Sequence, residues 1–212
     1  MLETHFDKKL GLTDDTYLTI EAPAEGIFKD KGSKFLAFAY PVSTEDEVKF
    51  YLEVLRKDHH SARHHCWAYR LGKDGELWRA NDDGEPSNSA GKPILGQLQS
   101  KCLSNVAVIV VRYFGGTLLG VSGLIQAYKE ATADALANAK IIEVQVEAEH
   151  TVTFPFEAMN EVMKILKDKS AKVISQTYEN ACSISFRIRK MNEEHVIKSL
   201  QKIDDVKTVL HS

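Results

Sequence analysis

NVAVIVVRYFGGTLLGVSGLIQAYKEATADAL, residues 105–136, joins two different periodicities. Val106 to Val111 is an unbroken apolar run with four valines. A short β-branched run of this kind, bounded by a polar residue and by glycines, reads as a strand buried on both faces. Arg112, Tyr113 and Phe114 end it, and Gly115 and Gly116 must turn the chain. From Ser122 the spacing becomes helical, with Leu124, Tyr128, Ala131 and Ala135 on one stripe and Ile125, Thr132 and Leu136 beside it. A strand, a glycine turn and a helix therefore follow one another, with Arg112 and two aromatics at the strand's carboxyl end. In open α/β sheets that end is where ligands bind. The turn is neither G-x-G-x-x-G nor a P-loop. On spacing alone a structural turn is the simpler reading, but a guanidinium beside backbone N–H groups suits a phosphate or carboxylate.

The rest of the chain sets bounds on that reading. The sequence has 212 residues, 43% of them hydrophobic and 27% charged, which gives room for one large or two small globular domains. A net charge of −3 means that any basic surface must be local. Three widely spaced cysteines make neither a disulfide framework nor a C-x-x-C knuckle, and a reducing cytosol is the simplest setting. Neither a signal peptide nor a membrane-spanning run is visible, so a cytoplasmic protein that avoids the membrane is expected.

Residues 1–16 read as a loose lead-in. Tyr17–Glu21 and Ser33–Tyr40 suit strands, with Lys29, Lys31 and Lys34 around Gly32 as a basic turn between them. Ser43 or Thr44 caps a helix with Glu45, Asp46 and Glu47 in its first turn and Val48, Tyr51, Leu52 and Leu55 on its buried stripe. Then comes a basic segment, residues 56–70, with Arg56, Lys57, Arg63, Arg70 and four histidines against one acid. From Arg63 to Leu71 it suits a strand, with His64, Cys66, Ala68 and Arg70 on one face and His65, Trp67 and Tyr69 on the other. His64 and His65 point to opposite faces and do not share a metal easily, while His64 and Cys66 stand too far apart for direct proton transfer. A strand that meets phosphate through its cations and stacks bases on Trp67 or Tyr69 ranks first, with core or interface histidines next.

NDDGEPSNSAGKPIL, residues 81–95, is a long loop running into a helix. Asp82, Asp83 and Glu85 form an acid cluster with the charge to hold Mg²⁺, and Ser87 to Lys92 lead to a helix N-terminus that suits a phosphate. An ordinary surface loop with Asp82 and Asp83 capping turns is the alternative. Beyond Leu136 the order becomes β-α-β-β-α-β, the ferredoxin-like plan, starting with a single strand over Val144–Phe154. The expectation is an α+β chain of two domains, residues 1–140 and 142–212, with the site in the first.

HHCWAYR, NDDGEPSNSAGKPIL and VIVVRYFGGTLLGVSGLIQAY together resemble the IMPACT family in its bacterial YigZ-type branch. One departure stands out: where the family commonly has Ser-Gly-Thr-Ala-Gly, this chain has Ser87-Asn88-Ser89-Ala90-Gly91. The resemblance implies an N-terminal domain folded like a small-subunit ribosomal protein's second domain. It also implies a C-terminal domain like the last domain of elongation factor G. Eukaryotic relatives are translational regulators acting through a further domain that is not seen here, so their partner does not transfer. The leading expectation is a non-catalytic regulator that binds RNA or the ribosome, with a translation factor as a further candidate partner and no cofactor or metal. Its contacts would be Lys34, Arg63, His64, His65, Arg70, Ser87, Lys92, Arg112, Gly115 and Gly116. The rival is an enzyme on a small phosphorylated or carboxylated substrate, with Asp82, Asp83 and Glu85 as metal ligands or base and Arg112 and Lys92 holding the anion.

Overall fold

A computed structural model describes residues 15–178 and 181–211. The described residues separate into two compact units, one within 17–144 and the other within 145–211 together with Asp15 and Thr16. The expected lead-in before residue 15 lies outside the described residues.

The first unit is built on β1 (Thr16–Ile20), β2 (Ala24–Asp30), β3 (Ser33–Pro41), α1 (Glu45–Asp58), β4 (His64–Leu71), β5 (Leu77–Asn81), α2 (Gly91–Ser100), β6 (Val106–Tyr113), α3 (Gly120–Asn138) and β7 (Ile141–Gln145). Five strands make one sheet in the order β2-β3-β6-β4-β5, and β1 pairs with β7 separately. β6 is central, and Val106 to Val111 are fully buried. Both faces are covered. Ile20, Phe35, Ala37, Cys66, Ala68, Val108 and Val110 pack with Ile94 and Leu98 of α2 and Leu124, Tyr128 and Ala131 of α3. On the other face Ile109 and Val111 pack with Leu55 of α1. This two-sided cover explains the continuous rather than alternating apolar run.

Every pairing in this sheet is antiparallel. The rule that ligands gather at the carboxyl ends of parallel strands therefore does not apply. Antiparallel pairing has a different consequence: the end of β6 meets the starts of β3 and β4. Lys34 stands opposite Tyr113, and His64 opposite Arg112.

Two elements differ from the sequence reading. β2 was hidden because Gly26 breaks its pattern. A Cβ there would lie 2.2 Å from the Ala135 backbone nitrogen, so glycine admits α3 against the strand. The basic turn is the tip of the β2–β3 hairpin, with Lys31 and Gly32 both at positive φ. The expected strand over Val144–Phe154 is two strands serving two sheets, divided at Val146. Its N–H donates to the Asp15 carbonyl and its own carbonyl accepts from Lys190. Neither bond belongs to a ladder.

The second unit runs β8 (Glu147–Phe154), α4 (Met159–Asp168) after a short 3-10 turn, β9 (Lys172–Tyr178), β10 (Cys182–Arg189), α5 (Lys190–Leu200) and β11 (Lys207–His211). The sheet order is β11-β8-β10-β9. Val152, Phe154, Ile184, Phe186 and Ile188 meet Val162 and Leu166 of α4 and Val196 and Leu200 of α5 in its core.

Candidate functional site: the loop over the central sheet and the end of β6

Asp82 organises the loop between β5 and α2. One carboxylate oxygen accepts the N–H groups of Ala90 (3.0 Å) and Gly91 (2.8 Å), and the other accepts that of Asn88 (2.8 Å). This carboxylate occupies the α2 N-terminus that was expected to take a phosphate, and it satisfies donors the helix cannot pair internally. Gly91 is required here, since a Cβ would fall 2.6 Å from the Asn81 nitrogen. Asn88 stands at φ 60°, so asparagine carries the left-handed backbone where the family commonly has glycine.

The three acids diverge rather than converge. Asp83 accepts the His65 backbone N–H at 2.7 Å and the Arg56 guanidinium at 3.1 Å. Glu85 turns inward, where one oxygen accepts from Arg112 at 2.6 Å and from the Tyr128 hydroxyl at 2.8 Å. The Cys66 sulfur lies 2.9 Å from the Asp82 carbonyl and 3.2 Å from the Tyr128 oxygen. Burial pushes both the Cys66 thiol and the Tyr128 hydroxyl up, so both are protonated donors. Among the described residues no cluster of His, Cys, Asp or Glu is arranged to hold a metal ion.

Arg112 is therefore interior. It is 6% exposed, bound to Glu85, and its guanidinium carbon lies 5.5 Å from the ring centres of both Phe35 and Phe114. Arg70 is likewise engaged, donating to the carbonyls of Leu103 (2.7 Å) and Asp74 (3.0 Å). His64 bonds the Asp83 carbonyl at 2.9 Å. His65 is 5% exposed, and burial lowers its imidazole below the ordinary value, with the Asp83 carboxylate opposing part of the shift. Tyr69 is buried and donates to Glu45 at 2.5 Å, its hydroxyl pushed up to about 12 mainly by burial. Trp67 stacks on Tyr69, with centroids 5.6 Å apart. Both rings lie on the sheet face beneath α1, Tyr69 buried and Trp67 half-buried, so Tyr69 offers no stacking surface and Trp67 only part of one.

What remains on the surface is narrower. Lys34 and Arg63 are exposed and have no ion-pair partner among the described residues. Ser87 and Lys92 are exposed on the loop and the first turn of α2. Gly115 donates to the Ser33 hydroxyl at 3.1 Å and packs so closely on Gly32 that a Cβ would lie 1.9 Å from the Gly32 carbonyl carbon. That contact seats the basic hairpin tip against the 114–119 loop. Gly116 is exposed at φ 87°, and α3 begins with no side-chain cap and no acid in its first turn. Phe114 is 55% exposed and Leu118 83%.

Sequence reasoning missed Tyr128 and Phe114, and weighed Cys66 only as a nucleophile beside His64. Tyr128 was legible only as a core position, although a buried tyrosine hydroxyl calls for a partner. Phe114 lay in plain view as the last aromatic before the glycines.

The Impact N-terminal domain model matches residues 31–136, half of the chain. The chain belongs to the IMPACT family. The IMPACT family member YigZ of Escherichia coli is 30% identical over 167 residues, covering 78% of this chain and 82% of that protein. The IMPACT family member YvyE of Bacillus subtilis is 37% identical over 128 residues, 60% of this chain and 59% of that protein. A crystal structure of a hypothetical protein matches 94% of this chain and 99% of its own, with a TM-score of 0.71 and 25% identity. The IMPACT match runs from Lys31 to Leu136, so it covers four strands of the five-stranded sheet, the loop and nearly all of α3, and leaves β2 and the second unit outside. No described helix is long and apolar enough to cross a membrane.

Proposed function

We propose that this IMPACT-family protein is a non-catalytic regulator of translation that binds RNA or the ribosome through the end of β6. The observation that carries the proposal is that Lys34 and Arg63, both exposed and without ion-pair partners among the described residues, flank the strand end that presents Phe114. The hairpin lysines Lys29 and Lys31 adjoin it, and the uncapped α3 N-terminus supplies backbone donors nearby. Phe114, more exposed than Trp67 or Tyr69, is the aromatic able to stack on an unpaired base, a contact worth about 1–3 kcal/mol. The family's eukaryotic translational regulators support the same direction. A resemblance of the two domains to a ribosomal protein's second domain and to the last domain of elongation factor G belongs to this reading as well, by analogy of fold.

Arg112, Arg70 and His65 act here as framework, and Ser87 and Lys92 are peripheral. Asp82, Asp83 and Glu85 are each engaged by neighbouring groups, which favours this reading over the rival enzyme.

The test is co-sedimentation of the purified protein with ribosomes at low and moderate salt. The wild-type protein should associate at low salt and release as salt rises. Lys34→Ala/Arg63→Ala and Phe114→Ala should lose association while keeping the fold. A double variant that sediments like the wild type would overturn the assignment, and so would no association at either salt.

A further inference from the structure

The second unit carries a strand that is built to receive another. β9 lies at the edge of its sheet, and all seven of its residues are exposed. Its inner side pairs with β10, so alternate N–H and C=O groups on its outer side face solvent. Sheet edges are normally blunted by charge, proline or a bulge. β9 has no proline, and its one charged residue, Lys172 at the start, is tied to Glu147. A bulge is present at Ile174, but it does not close the edge. It shifts the register so that Val173, rather than Ile174, stands opposite the core residue Phe186. Ser175 to Tyr178 then run in regular register and are uncharged.

Val173 thereby lines a groove between β9 and α4. The groove has a volume of about 570 Å³, with Met163, Leu166 and Ala171 on its apolar floor and Lys164 and Lys167 on its wall. Both lysines are exposed, and neither forms an ion pair among the described residues. Asp168 is the single acid of the lining. An open strand edge beside an apolar groove is the arrangement in which an added strand gains affinity from main-chain bonds and selectivity from alternate side chains.

We infer that β9 binds an extended, acidic segment of a partner protein as an added strand, with its apolar side chains in the α4–β9 groove. The charge of the wall selects this occupant. A second copy pairing antiparallel through β9 would set both α4 helices on one face, with Lys164 and Lys167 of each copy turned toward those of the other. That arrangement repels itself. An acidic strand meets the same lysines with opposite charge. The inference is independent of the surface around β6.

The experiment uses the full chain and a fluorescent peptide as long as β9, Glu-Thr-Val-Thr-Val-Thr-Glu, whose alternate residues put two valines and two glutamates on the groove face. Its controls are the same peptide with lysine for glutamate and the same peptide N-methylated at alternate residues. The acidic peptide should bind saturably and shift amide resonances of β9. N-methylation should abolish binding by removing ladder donors, and Lys164→Glu/Lys167→Glu should weaken it at least about tenfold. Both lysines are exposed, so this variant keeps its fold, which its unfolding transition verifies. Absent saturable binding, or equal binding of the N-methylated peptide, would overturn the inference. A concentration-dependent dimer dissolved by Ile174→Lys would also overturn it, in favour of a second copy.

Discussion

At the scale of single residues, Arg112 shows how chemistry that looks functional in sequence becomes internal in three dimensions. Its ion pair with Glu85 is buried on both sides, with side chains 7% and 3% exposed. Removing one partner leaves a charge without solvent or counter-ion, a loss of about 3–5 kcal/mol. Arg112→Met should therefore lower the unfolding free energy by that amount in urea titrations, before any effect on binding. Arg112→Met/Glu85→Leu should recover most of the loss, because no charge is stranded. A double variant as unstable as the sum of its singles would show that the two residues act independently, with no coupling between them. His65 makes a second prediction. Its folded imidazole sits below its unfolded value of 6.5, so the unfolded chain binds more protons in that window. Stability is then fully present above 6.5 and falls as acid drives the pH below it. His65→Leu should flatten this slope between about pH 5 and 7 relative to the wild type.

At the scale of elements, glycine position decides what was legible. The central strand β6 and helices α1 and α3 declared themselves by composition and period. Of the two expected caps, Thr44 is the one used, and with Glu47 it forms a capping box. β2 was invisible because the packing reason for Gly26 lies more than a hundred residues away, on α3. The split at Val146 was invisible because both flanking strands alternate in the same phase, and only hydrogen bonds to Asp15 and Lys190 interrupt them. The acidic loop was legible as unusual but not as structural, since the partners of Asp82 are backbone amides that carry no sequence signature. Two alanine substitutions separate these roles of glycine. Gly26→Ala meets backbone at 2.2 Å and should destabilise by more than about 1 kcal/mol. Gly96→Ala, within α2 and with open space around it, should stabilise by about 0.5–1 kcal/mol. Thermal unfolding of the two variants measures both signs.

At the scale of the whole molecule, the net charge of −3 sets the terms on which it meets a polyanion. A uniformly acidic chain would be repelled, so under the proposed function the attraction comes from the local group at the end of β6. Few cations then do the work, and each should be countable. Binding to phosphate releases condensed counter-ions, and the logarithm of the association constant falls by about 0.7 per contact, per decade of salt, on single-stranded nucleic acid. Four lysines and arginines at this end (Lys29, Lys31, Lys34 and Arg63) predict a slope near −3 for a single-stranded oligonucleotide. Lys34→Ala/Arg63→Ala should reduce that slope by about 1.4, two contacts' worth, whatever the sequence of the probe. Phe114→Ala should weaken binding at every salt and leave the slope unchanged, because stacking releases no ions. Fluorescence anisotropy across a salt series reads both quantities at once. A double variant with an unaltered slope would place the phosphate contacts elsewhere on the molecule. A slope altered by Phe114→Ala would mean that the aromatic acts by positioning the cations rather than by stacking.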